Sequence, residues 1–146
     1  MGQWQDVWNN FEHVGIAYLL TAVLGLESER EAHSAGLRTF PIVGMASCGY
    51  LLLVSSHPFD PAAQSRVLQG LITGIGFIGG GAILKEGVNV RGTATAASVW
   101  NAGVIGAAVA MDHYGIAVTL SLLNVFTLRA LLPLKRWIDR KSPFDA

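Results

Sequence analysis

The chain is 146 residues long, about one domain's worth, and carries only 14% charged residues, against about 25% in an ordinary soluble domain. Its 51% hydrophobic content and this shortage of charge imply a surface that faces lipid. Ten acidic and ten basic side chains cancel, so there is no basic footprint for nucleic acid.

In chain order, five apolar stretches approach the ~20 residues that cross a bilayer. They cover 11–26, 38–56, 67–84, 94–111 and 115–132, and a short basic tail follows at 133–146. The expectation is an all-α, polytopic membrane helical bundle of about five transmembrane helices forming one domain. The first stretch does not read as a secretory signal, because its first basic residue, Arg30, comes after the apolar run rather than before it. Trp4 and Trp8 precede it and read as interfacial anchors, as do Tyr114 and Trp137 further on. Cys48 in the second stretch is the single cysteine; it excludes an internal disulfide and reads as a small buried hydrophobe. The segment His57-Pro58-Phe59-Asp60-Pro61 reads as a loop, since its two prolines discourage helix.

Between Gly70 and Trp100 lies the most unusual stretch: a glycine-rich apolar run, a charged turn over 85–92, and a small-residue run closing on tryptophan. Each glycine costs a helix in water about 1 kcal/mol relative to alanine. In a bilayer, small residues instead permit close helix approach. Gly70 and Gly74 are four apart, as are Gly76 and Gly80, so each pair shares a helix face and reads as a packing surface. Gly74-x-Gly76-x-x-Gly79 also matches the dinucleotide fingerprint. Its context argues against that reading: an apolar run stands where a strand should precede it, and no acid follows near 94–98. Asp112-His113-Tyr114 then makes a tight turn, so the fourth and fifth stretches form an antiparallel hairpin.

Charge sets the orientation. In the five-span arrangement Arg30, Arg38, Lys85, Arg91, Arg129, Lys135, Arg136, Arg140 and Lys141 all fall on one side, and Arg66 alone falls on the other. The positive-inside rule makes that side cytoplasmic, with the N-terminus outside and the C-terminus inside. At the inner mouths, Arg38 and Arg91 are candidates to pair with Glu27, Glu29 or Glu31. Arg129 is near enough to the inner end to snorkel.

Polar groups at membrane depth are costly and so informative. Asn101 and Asn124 are the intramembrane polar residues; they read as interhelical hydrogen-bonding groups or as the lining of a polar path. Trp100 lies too deep for an interfacial anchor and suggests helix packing. His13, His33, His57 and His113 are scattered without ligand spacing, and Asp6, Glu12, Asp60 and Asp112 read as solvated acids. No serine or cysteine sits in a nucleophile motif. The reading therefore predicts no enzyme, no catalytic residue, no metal site and no cofactor.

Two sets of residues carry a resemblance. Gly25-Leu26-Glu27 with Ala35-Gly36-Leu37-Arg38-Thr39 resembles the first cytoplasmic loop of the MgtC/SapB family of bacterial membrane proteins. Gly74-Ile75-Gly76-Phe77-Ile78-Gly79, Ala82-Ile83-Leu84, Val90-Arg91-Gly92, Thr95-Ala96-Ala97, Trp100 and Ile105-Gly106 resemble its main signature in order and spacing. The positions that carry over are Glu27, Gly36, Arg38, Thr39, Gly74, Gly76, Gly79, Arg91, Gly92, Thr95 and Trp100. Departures are Ser28, where the family has arginine, and Thr93-Ala94 in place of Leu-Thr. Longer members add a cytosolic domain resembling an ACT module, which is not expected here.

The resemblance implies a multi-pass protein of the bacterial inner membrane, linked to magnesium limitation and, in pathogens, to survival in host cells. Family members are described as modulators of other membrane proteins, so the implied partner is one such protein (an ATP synthase or a magnesium pump), within the lipid bilayer and with homo-oligomer formation open. The alternative expectation is a cation or small-solute transporter or channel built as an oligomer, resting on Asn101, Asn124 and the glycine-rich third stretch.

Overall fold

The computed structural model describes residues 2–30, 36–55, 61–86 and 89–141. Five helices follow in order: α1 (Gly2–Arg30), α2 (Thr39–Ser55), α3 (Pro61–Gly81), α4 (Thr93–Ala110) and α5 (Tyr114–Lys141). Between α3 and α4 lies a short hairpin of β1 (Leu84–Glu86) and β2 (Asn89–Arg91), antiparallel with Leu84 opposite Arg91. The molecule is a helical membrane bundle. By length and composition α4 and the Tyr114–Leu131 part of α5 are long and apolar enough to cross a bilayer, and α2 is a shorter apolar helix.

Several boundaries differ from the sequence reading, each for a local reason. Pro61, expected in a loop, opens α3, where its missing N–H is one that no helix start can pair; residues 57–60 lie outside the described residues. At the other end α3 stops at Gly81, three residues short of the expected 84, because the amides of Ala82 and Ile83 bond back to the Gly79 and Gly80 carbonyls in a tightened last turn. The expected plain turn over 85–92 contains the β-hairpin instead. The expected tail is helical as far as Lys141, since α5 runs through Pro133. That proline removes one backbone bond, and neighbours such as Leu131, Lys135 and Arg136 are good helix formers. Residues 142–146, Glu31 and the side chain of Trp137 lie outside the described residues.

Side-chain contacts give the directions of the helices. Methyl groups built on Gly25 and Gly44 would meet the Gly36 carbonyl and Thr21 respectively, so α2 returns along α1. Gly103 faces Ile75 and Gly79 faces Ala96, so α3 and α4 are antiparallel. Bonds from Ser98 to Asn124 and from Asn101 to the Leu120 carbonyl make α4 and α5 antiparallel as well. The helix pairs α1/α2, α3/α4 and α4/α5 thus each run antiparallel.

At the centre is α4, packed against α1, α2, α3 and α5. Its buried positions are Thr95, Ala96, Ser98, Val99, Ala102, Gly103 and 105–110, nearly all small. The tightest approach is between α2 and α4, where a methyl on Gly106 would run into the Gly44 carbonyl. Many bulky apolar residues point outward, among them Leu19 and Leu26 on α1, Ile42 and Leu53 on α2, Leu122 and Phe126 on α5, while Leu24, Phe40, Leu51 and Ile105 are fully buried. Large apolar side chains outside a small-residue seam are the arrangement expected where the solvent is itself apolar and helices associate by close packing.

Candidate functional site

Two places hold the residues singled out in the sequence. The first is the end of the bundle where α1 and α3 finish and α2 and α4 begin. Glu27 sits one turn before the end of α1 and is only 8% exposed. A buried carboxylate needs a cation or donors, and Arg129 of α5 supplies one, its Nη2 lying 2.7 Å from Oε2. Arg129, read as near enough to the inner end to snorkel, is partly exposed and reaches across to Glu27 at that end. This partner was not among those expected for Glu27. Ser28, where the resemblance puts an arginine, is buried at 2% exposure, and one cation beside Glu27 comes from α5.

Glu29 also ties this end together, accepting a hydrogen bond from the Leu37 amide at 3.0 Å. The Gly36 carbonyl then accepts from Phe40 and closes the first turn of α2. Thr39 opens that helix half-buried, and Arg38 is exposed beside it. Gly92 stands between the hairpin and α4 with φ 83°, a left-handed value that disfavours side chains, and the Ala82 carbonyl fills the space of a Cβ. Its own carbonyl accepts from Ala96 at 2.8 Å, starting α4. Thr95 is buried in that first turn, Gly79 of α3 lies against the Ala96 carbonyl, and Arg91 is exposed on β2. The structure thus brings Glu27, Gly36, Arg38, Thr39, Gly79, Arg91, Gly92 and Thr95 to one end of the bundle.

Gly74 and Gly76 do not join them. A methyl on either, or on Gly70, Gly80 or Gly81, would meet nothing within 4 Å. The packing surface expected at Gly70/Gly74 and Gly76/Gly80 is therefore unused among the described residues. Phe77, between the two pairs, is 87% exposed.

The second place is a groove between α4 and α5 of about 310 Å³, whose polar lining comes from Ser98, Asn101, Asn124 and Thr127. Ser98 Oγ donates to Asn124 Oδ1 at 2.9 Å, and Asn101 Nδ2 donates to the Leu120 carbonyl at 3.4 Å. Both asparagines therefore bond between helices. Trp100, expected in packing, is 45% exposed beside them.

At the opposite end from Glu27, a cluster went unnoticed in the sequence. The α4–α5 turn closes with the His113 amide bonded to the Ala108 carbonyl and the Asp112 amide to that of Val109, the pattern in which glycine usually takes the left-handed position. Here Asp112 takes it, at φ 58°. Its carboxylate meets His13 of α1 at 2.9 Å and the Tyr114 hydroxyl at 3.1 Å. His13 and Asp112 are 99 residues apart, so no local spacing signals the contact. The one available signal was an aspartate in a turn too tight for anything but a left-handed residue.

A family model described as the MgtC family matches residues 14–137, most of the chain and all the motif residues above. The chain belongs to the MgtC family. Among similar proteins is an uncharacterized protein of Synechocystis, 31% identical over 137 residues, covering 92% of this chain and 57% of the relative. Protein MgtC of Salmonella typhimurium is 35% identical over 107 residues, covering 73% of this chain and 46% of the relative. Protein MgtC of Brucella abortus is 36% identical over 104 residues, covering 68% and 43%. The chain thus spans about half the length of the curated relatives it matches. No solved structure matches it.

Proposed function

We propose that this MgtC-family chain is a multi-pass protein of the bacterial inner membrane that modulates another membrane protein during adaptation to magnesium limitation. Its N-terminus lies outside and its basic C-terminus in the cytoplasm, as the distribution of arginine and lysine implies. The observation that carries the reading is the outer face of α3. Among the described residues a methyl on Gly70, Gly74, Gly80 or Gly81 would meet nothing within 4 Å, and Phe77 protrudes among them. A glycine face lowers helix propensity without return unless another helix closes on it.

The alternative, a cation or small-solute transporter or channel built as an oligomer, rests on Asn101 and Asn124. Both lie in an outward-facing groove and bond to neighbouring helices, so a path within one copy draws no support from them.

Affinity capture from gently solubilised membranes of magnesium-limited cells tests the proposal. A specific membrane partner is expected with the unaltered chain and is expected to disappear with Gly74→Leu, while Ile42→Ala on α2 retains it. Saturable ion flux by the purified chain in liposomes, with no partner captured, would refute the modulator reading.

A further inference from the structure

The groove between α4 and α5 poses a separate question. Helices α1, α2, α3 and α5 pack around α4, with α1 beside both α2 and α5 and α2 beside α3. Among the described residues α3 and α5 are not a packed pair, and the sector of α4 between them carries its exposed positions: Ala94, Ala97 and Trp100, with Asn101 half-covered.

Asn124 faces this opening half-buried. One lone pair of its Oδ1 takes the Ser98 hydroxyl, and its Nδ2 hydrogens have no acceptor among the described residues. A carboxamide offers two donors and a second lone pair besides. Counting down α5, Asn124 lies about 15 Å below the Tyr114 end, near the middle of a span. Hydrocarbon supplies no acceptor there. Lipid ester and headgroup oxygens lie about 15 Å away at the edge of the ~30 Å core, and a soluble protein cannot reach that depth. The occupant must be another transmembrane helix with a donor and an acceptor at the same level.

We infer that the occupant is a second copy of this chain, with Asn124 paired to Asn124 across a two-fold axis along the membrane normal. That axis keeps every group at its own depth, so like meets like. Asparagine suits such a contact, because each Nδ2 can donate to the other Oδ1 while both Ser98 bonds are kept. The lining of the groove contains no Asp, Glu, Lys or Arg to repel its image. Its shape is self-complementary as well: Leu123 projects from α5, 57% exposed, beside the low floor of Ala94 and Ala97 on α4. A single buried asparagine fixing register between identical helices is an established use of this side chain. The inference is independent of the modulator reading, which rests on α3.

Disulfide trapping in membranes tests it. In a Cys48→Ala background, Thr127→Cys, one turn below Asn124 in the groove, is expected to give an oxidant-dependent homodimer, and Ile42→Cys on α2 is not. Adding Asn124→Ala should weaken dimerisation in lipid by roughly 3- to 10-fold, with Asn124→Gln restoring part of it. Single-molecule bleaching of the unaltered chain in lipid vesicles gives a readout free of cysteine changes, and two-step bleaching is expected. Single-step bleaching, equal trapping at Thr127→Cys and Ile42→Cys, or a Thr127→Cys cross-link to a different protein would each overturn the assignment.

Discussion

The imidazole of His13 is held through both of its nitrogens. Its Nδ1 lies 2.7 Å from the Asn9 carbonyl oxygen and its Nε2 lies 2.9 Å from Oδ1 of Asp112. Both oxygens only accept, so the geometry is complete when the ring is an imidazolium. The Tyr114 hydroxyl bridges the same two atoms at 3.0 and 3.1 Å. Three elements are clasped at one corner, and the other titratable neighbours among the described residues are Glu12 on α1, His113 in the turn and Cys48 on α2.

This clasp makes stability depend on pH from both sides. Hydrogen bonds from His13 and then from Tyr114 hold the Asp112 carboxyl below its ordinary value. A carboxyl depressed in the folded state contributes stability that is present above its unfolded value and lost as pH falls through the lowered one. At the other limit the contribution fades when the imidazolium loses its second proton. Thermal unfolding of the purified protein in detergent should therefore show greatest stability between the two titrations. Asp112→Asn keeps a residue tolerant of the left-handed turn and removes the charge, so it should flatten both limbs. An Asp112→Asn profile identical to the parent's would exclude the clasp as their source.

The Glu27–Arg129 pair should show the asymmetry of a half-buried ion pair. Arg129→Met removes the guanidinium 2.7 Å from the Glu27 carboxylate, itself 8% exposed, a loss of about 1–3 kcal/mol given that the arginine is partly exposed. Glu27→Gln in addition should recover much of that loss, because an amide is far cheaper to bury than a carboxylate. Denaturation of the two single variants and the double variant measures this; a double variant as unstable as the sum of the singles would contradict it.

Two glycine classes should separate cleanly. Gly106→Ala drives a methyl into the Gly44 carbonyl and should cost about 1–3 kcal/mol or more, since two backbones must part. Gly76→Ala meets open space and should be neutral or stabilise the helix by up to about 1 kcal/mol. Melting temperatures of the two variants, compared with the parent, check both signs.

These contrasts show what the sequence alone could and could not convey. Hydropathy located α2, α4 and the crossing part of α5 within a residue or two, because length and apolar content are local properties. The tight turn at 112–114 was equally legible. Spacing alone did not say which face of α3 its glycines occupy, and the face turned out to be the outer one. The pairing of Glu27 with Arg129 and of His13 with Asp112 joins residues about a hundred positions apart, which only the packing of α1 against α5 determines. Residues drawn from the motif gather at the Glu27 end of the bundle because Gly36, Gly79 and Gly92 each mark a tight backbone approach or turn.

The small-residue seam beneath a bulky exterior has a consequence for how such a chain can drift in evolution. In a water-soluble domain the large apolar side chains are the guarded positions and the surface is free to change. Here Leu19, Leu53, Leu122 and Phe126 face a solvent indifferent to which hydrocarbon it touches, so exchanges among them should be nearly silent. Among the intolerant positions are two of the plainest letters in the chain, Gly44 and Gly106, where an added methyl would run into the Thr21 side chain and the Gly44 carbonyl. A saturation scan of this protein should guard them as strictly as the buried Leu24, Phe40, Leu51 and Ile105.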